Sequence, residues 1–129
     1  MENDLLIFRE KQGRIEILFY AVRMGEDLCI LISGGDTPHI GAVAVRQVTP
    51  GSDWSGDMKM IVLPGHREGE VIGVVADQIS SALNKNVAVC CGIHLDKATK
   101  DEISIVKEML VKMTARLIQA LSSPNSDQQ

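Results

Sequence analysis

The sequence predicts an α+β domain, with a mixed, mostly antiparallel sheet of about six strands and two amphipathic helices. Three observations lead there. In the first half, short apolar runs follow one another on glycine-bearing turns, the mark of antiparallel neighbours. Helical periodicity appears twice, once after Arg67 and once after Thr99. No helical stretch separates the first five runs, which argues against a doubly wound parallel sheet.

Taken in order, residues 4–9 (DLLIFR) and 14–23 (RIEILFYAVR) read as strands joined by a turn at Lys11-Gln12-Gly13. Met24-Gly25-Glu26 turns the chain again. Residues 27–33 (DLCILIS) are apolar almost throughout, as a central strand would be. Gly34-Gly35-Asp36-Thr37-Pro38 breaks regular structure, and residues 40–48 (IGAVAVRQV) form a fourth strand. The polar loop 49–57 carries the single tryptophan, Trp54. Residues 58–63 (MKMIVL) form a fifth strand ended by Pro64-Gly65.

A helix is expected from about residue 68 to 83, with Val71, Val74, Val75, Ile79, Ala82 and Leu83 as its apolar stripe. Asn84-Lys85-Asn86 ends it, and residues 87–95 (VAVCCGIHL) form the sixth strand. Strand 58–63, helix and strand 87–95 could make one right-handed parallel crossover. Thr99 and Glu102 make a capping box for a second helix. Its stripe is Ile103, Val106, Leu110, Met113, Leu117 and Leu121. Residues 1–121 are expected to form one domain and residues 122–129 a disordered tail.

Bulk properties narrow the function. The 129 residues suffice for one domain with a core that needs no disulfides. The net charge is −4, without a basic block, so nucleic acid is a poor partner. Cys29, Cys90 and Cys91 show no C-x-x-C spacing and read as buried free thiols in a reducing compartment. There is neither a signal-like N-terminus nor an apolar run of about 18 residues, so a soluble cytoplasmic protein without membrane contact is expected.

The three histidines all lie beside glycine or proline at strand ends: TPHIG at 37–41, PGHRE at 64–68 and GIHLD at 92–96. The first follows Gly34-Gly35, where backbone N–H groups and the Thr37 hydroxyl could cup an anion beside His39. The bland reading is a tight turn that needs glycine. The second, with Gly65, His66 and Arg67, opens a helix, where free N–H groups and a guanidinium suit phosphate. The bland reading is a surface helix start. In the third, His94 and Asp96 share one side of a strand, so Asp96 can orient the imidazole.

Two site chemistries fit this pattern. A polar pocket for a phosphorylated ligand uses the glycines, Arg67, the helix start and the histidines. A metal centre of His39, His66 and His94 is the alternative, since catalytic zinc often takes three protein ligands. Cysteine–histidine catalysis by Cys90 and His94 is rejected, because four strand residues separate them by about 13 Å.

Together, SGGDTPHIGAVA, LPGHRE and CGIHLDKATKDEI resemble the prenylated-flavin chaperone family, the small D-type subunits associated with gallate-type hydroxyarylic acid decarboxylases. The likeness runs from about residue 27 to residue 106. It implies a fold similar to proteasome-assembly-chaperone-type domains, commonly dimeric, hence a homodimer. It implies a non-catalytic accessory protein that handles prenylated flavin mononucleotide (FMN), or FMN, for the catalytic subunit of a UbiD-like aromatic acid decarboxylase. Gly34, Gly35, Pro38, His39, Gly41, Gly65, His66, Glu68, Gly92, His94 and Asp96 are the positions that carry over. Two rivals stand beside it: a small metal-dependent hydrolase or lyase, and an assembly protein without a small-molecule ligand.

Overall fold

The computed structural model describes residues 4–48, 58–64 and 69–122. Its elements are β1 (Leu5–Gln12), β2 (Ile15–Met24), β3 (Asp27–Gly35), β4 (Ala42–Arg46), β5 (Met58–Val62), α1 (Gly69–Leu83), β6 (Val87–His94) and α2 (Lys100–Ser122). The six strands form one sheet in the order β1-β2-β3-β6-β4-β5. Only the β3–β6 contact is parallel among the strand pairs of this sheet. The expected mixed, mostly antiparallel sheet with two helices is what forms.

The first two hairpins are as tight as the backbone allows. Gln12 pairs with Ile15 and Met24 with Asp27, which leaves two-residue loops. Each loop opens on a glycine in the left-handed region, Gly13 at φ 61° and Gly25 at φ 60°. Glycine at the first loop position matches the right-handed twist of the flanking strands. Lys11 and Gln12, expected in the turn, therefore belong to β1.

Two further boundaries differ from expectation. Gly34 and Gly35 extend β3 instead of breaking it. Residues 40–48 shorten to Ala42–Arg46. The expected parallel crossover from β5 through α1 to β6 is present, with β5 and β6 both antiparallel to β4 and flanking it. They point the same way without touching, and the crossover spans β4.

Alternation on β2 explains where the core sits. Ile15, Ile17, Phe19 and Ala21 are buried, while the residues between them are half-exposed. Both helices lie on the side of these buried residues, α1 over β4, β5 and β6, and α2 over β1 and β2. Ala42 and Ala44 are fully buried beneath α1 and let it approach β4 closely. The stripe of α1 is accordingly rotated from the expected one. Ile72, Val75, Ala76 and Ile79 are buried, whereas Val74 is 53% exposed. On α2, Leu110, Met113, Leu117 and Leu121 are buried as expected, and Ile103 in the first turn is exposed.

Polar contacts pin the layers. Arg46 emerges from β4 into the helix layer, almost wholly buried, with its Nη2 2.8 Å from Asp77 Oδ1 on α1. Asn84 closes α1 in the left-handed region at φ 57°. The Ser80 hydroxyl donates to the Lys85 carbonyl at 2.7 Å just beyond. Arg116 on α2 pairs with Glu10 and lies over the Phe8 ring, clamping the helix to β1.

The thiols divide. Cys91 is buried among the core residues, but Cys29 and Cys90 are half-buried on the helix-free side of the sheet. Burial, and then the neighbouring Cys29, push the Cys90 thiol up from its usual value. Among the described residues no helix is long and apolar enough to cross a membrane. The tail 123–129 and the tryptophan loop 49–57 lie outside the described residues.

Among the described residues Phe19 is the largest fully buried side chain. Phe19→Ala is expected to cost about 3–5 kcal/mol, as large-to-small core changes of this kind do. Val74→Ala on the outer side of α1 should change stability by less than about 0.5 kcal/mol. Denaturant midpoints check the pair, and equal losses would refute this placement of the core.

Candidate functional site

The site forms where β3 and β6 end together. Their parallel register sets Gly34 beside Ile93 and Gly35 beside His94. Two chain segments leave this point, the β3–β4 connection with His39 and the β6–α2 connection with Asp96.

Glycine is required here by close approach. A Cβ on Gly35 would stand 2.0 Å from the His94 carbonyl oxygen, and Gly35 has φ +82°. A Cβ on Gly92 would stand 1.0 Å from the His39 carbonyl oxygen. The segment carrying His39 therefore lies directly on the helix-free face of β6. Backbone bonds hold it there: Asp36 N–H donates to the His94 carbonyl at 2.7 Å, and Gly41 N–H to the Cys91 carbonyl at 2.8 Å. Gly34 likewise serves packing, since its Cβ would meet the Glu16 carbonyl oxygen at 2.5 Å. The two glycines expected to cup an anion are ladder residues.

This folding brings His39 and His94 together, with ring centroids 5.8 Å apart in an edge-on arrangement. Their hydrogen bonds assign their protons. A carbonyl can only accept, so Nδ1 of His39 carries the hydrogen that it donates to the Thr37 carbonyl at 2.8 Å. Nε2 of His94 donates to Asp96 Oδ1 at 3.1 Å. Asp96 orients the imidazole as the strand parity predicted. Thr37 acts through its carbonyl on His39 itself. When neutral, His94 presents Nδ1 as an acceptor on a side chain 49% exposed.

Arg14, at the tip of the first hairpin, organises the loops around this pair. Its Nε and Nη2 donate to the two Glu102 carboxylate oxygens at 2.7 and 3.0 Å. Nη2 also donates to the Asp96 carbonyl at 2.7 Å, and Nη1 to Asp36 Oδ2 at 3.1 Å. That Asp36 oxygen accepts the Asp96 N–H at 2.9 Å. Glu102 completes the capping box: Thr99 N–H donates to its carboxylate, and its own N–H donates to the Thr99 hydroxyl, both at 3.1 Å.

Sequence reasoning passed over Arg14 and Asp36 as site residues and took Glu102 only as a cap. A hairpin-tip arginine carries no local signal of a partner more than eighty positions away. Gly65, His66, Arg67 and Glu68 lie outside the described residues. Among the described residues no group of three or more histidines, cysteines or carboxylates is placed to hold a metal ion.

The fold is that of a small α+β domain with one six-stranded mixed sheet and two helices. Its structure is similar to a chain from a chaperone complex for yeast 20S proteasome assembly, with a TM-score of 0.54 at 12% identity, covering 92% of this chain and 98% of that one. That likeness is one of fold. No curated protein matches the sequence. The family is nonetheless defined: residues 11–122 match the prenylated flavin chaperone LpdD-like domain, and the chain belongs to that family. It is a family of prenylated-flavin chaperones, the one that the three histidine stretches resemble.

Two predictions arise from this geometry. The Arg14 hydrogen bond, aided by the Thr99 amide, holds the Glu102 carboxyl at about 2 instead of the usual 4.5. A carboxyl lowered on folding stabilises fully above its unfolded value and loses that contribution as pH falls through the folded one. Thermal melts should therefore show a loss between pH 4.5 and about 2 that Glu102→Gln lacks. Identical pH profiles would mean that the contact does not form in solution. Separately, Gly92→Ala must displace the His39 segment. It is expected to cost about 1–3 kcal/mol, as overpacking does, with a lower Tm. An unchanged Tm would refute the close approach.

Proposed function

We propose that this chain is a non-catalytic carrier of prenylated FMN, or of FMN, that serves the catalytic subunit of a UbiD-like aromatic acid decarboxylase. The observation that supports the reading is the convergence of His39 and His94, from two separate stretches, in a chain of the prenylated-flavin chaperone family. The flavin's chemistry belongs to the enzyme that receives it, and this chain's residues bind and orient.

The residues fit the ring and ribityl parts of such a ligand. His94, with its Nε2–H committed to Asp96, accepts from a ribityl hydroxyl or a ring N–H instead of donating to a ring oxygen. The adjoining sheet face is largely apolar, with Leu31 and Val45 exposed on it, and suits a flat ring. The phosphate fits elsewhere. Arg14 is already surrounded by Glu102, Asp36 and the Asp96 carbonyl, so this corner repels a second anion. In this reading the anchor is Gly65, His66 and Arg67, which precede α1 in the sequence, since free helix N–H groups and a guanidinium suit phosphate. The three free thiols agree with a cytoplasmic location.

Calorimetric titration tests the reading. FMN and prenylated FMN should bind the parent. Arg67→Ala should bind them 10- to 150-fold more weakly, corresponding to about 1.5–3 kcal/mol for a hydrogen bond to a charged group. Riboflavin, without the phosphate, should bind parent and variant alike. His94→Ala should weaken all three ligands. Absence of flavin binding by the parent would overturn the proposal, and stoichiometric zinc in protein purified without a metal-binding tag would favour a metal centre.

A further inference from the structure

Strand β5 ends one side of the sheet, and among the described residues no strand pairs with its outer edge. The phase of its ladder decides which backbone groups face outward. The Leu63 N–H donates to the Gly41 carbonyl at 2.8 Å, in the register that pairs Ala42 with Val62. Along an antiparallel strand, successive residues turn their N–H and C=O groups to opposite neighbours. Lys59 and Ile61 therefore bond to β4, while Met58, Met60 and Val62 turn theirs outward. The side chains along this edge are open and apolar as well, with Met60 39% exposed, Ile61 66% and Val62 43%.

The two edges of the sheet differ. β1 carries three consecutive charges, Arg9, Glu10 and Lys11, and Arg116 of α2 binds Glu10. Charges of this kind keep an edge from pairing with foreign strands. β5 has Lys59 alone. On the helix side it is lined by thioethers. A Cβ on Gly73 of α1 would stand 2.9 Å from Met60 Cε and 4.0 Å from Met58 Sδ, so the helix rests on these two side chains. Methionine adapts its shape to different apolar partners. Size then identifies the occupant. The five residues of β5 make an edge about 17 Å long and, at a sheet thickness of about 10 Å, on the order of 170 Å² in projection. A second folded copy needs about 800 Å² per partner for a standard contact, which this edge does not supply. One extended segment needs only the edge, because its own backbone groups continue the ladder.

We propose that the outer edge of β5 is a strand-addition site for an extended segment of a partner protein. The segment alternates in chemistry. Its helix-side residues meet Met60 and Val62 and are apolar. Its other residues lie beside Ile61 and Lys59, where one carboxylate suits the lysine. A contact this small serves capture and release better than permanent assembly. The proposal stands apart from the flavin reading, because a segment can pair with β5 whether or not a flavin binds beside the histidines.

The test uses the full chain and a capped synthetic peptide of about six residues, a typical strand length, with valine and threonine alternating around one glutamate. Amide hydrogen exchange read by NMR first checks the phase. In the free protein the Met60 and Val62 amides should exchange at least tenfold faster than the Ile61 amide. Saturating peptide should slow Met60 and Val62 to the Ile61 rate and leave Ile61 unchanged. The same peptide N-methylated at every peptide nitrogen keeps its side chains, loses its donors and should not bind. Met60→Pro gives up an outward N–H, which edge strands tolerate, so it should fold and bind the peptide at least tenfold more weakly. If it fails to fold, the exchange pattern of the parent and the N-methylated peptide decide. Slow Met60 and Val62 exchange in the free protein at every concentration would give the edge to another part of this chain. Slowing that grows with protein concentration alone would give it to a second copy. Either result would overturn the proposal, as would absence of peptide binding, equal binding of the N-methylated peptide, or undiminished binding by folded Met60→Pro.

Discussion

The structure of the site depends on one steric constraint, the contact between the His39 carbonyl and Gly92. The carbonyl oxygen occupies the place that a Cβ would take, so the β3–β4 connection lies flat on the end of β6. From that follow the bond between Asp36 and the His94 carbonyl, the approach of the two imidazoles and the position of Asp36 under Arg14. A bulkier residue at 92 would lift the segment and take His39 with it. The parallel β3–β6 pairing supplies the other half, because it makes both strands end at the same edge of the sheet.

Electrostatics then fixes what the steric contact has assembled. Arg14 faces three acidic segments, and each of its three side-chain nitrogens donates to one or more of them. The planar fork suits a bidentate carboxylate, which a lysine would meet only as a point charge. The result is a corner that holds its loops firmly and has no spare positive charge. A phosphorylated ligand approaching the histidines would thus be oriented with its phosphate away from Arg14. The helix-free face beyond the histidines is apolar, so polar and apolar parts of one ligand can be met side by side.

Much of this was legible in the sequence. The strand at 14–23 and the capping box Thr99–Glu102 carry their own local signals, and both formed as read. His94 and Asp96 were placed on one side by strand parity alone, and their contact follows. What was not legible depends on distant partners. Gly34-Gly35 looks like a break because glycine is a turn residue, but these two serve the ladder through close backbone approach. The rotation of α1 follows from the alanines of β4, which no periodicity within the helix can report. Arg14 shows nothing locally, since its role appears only when hairpin tip, β3 end and α2 start meet. Position of β4 between β5 and β6 is likewise a matter of sheet order, not of any one strand.

The central claim is that His39 and His94 form one ligand-facing unit in a flavin-handling protein. Nitrogen NMR of the imidazole rings tests it most directly, because it reads proton position as well as contact. In the unliganded protein at neutral pH the account predicts a hydrogen on Nδ1 of His39 and on Nε2 of His94. Addition of FMN should shift ring signals of both histidines in parallel and saturate together, with the Nδ1 signal of His94 reporting a new donor. Saturating FMN that leaves both rings unmoved, or moves neither while shifting signals elsewhere, would contradict the account.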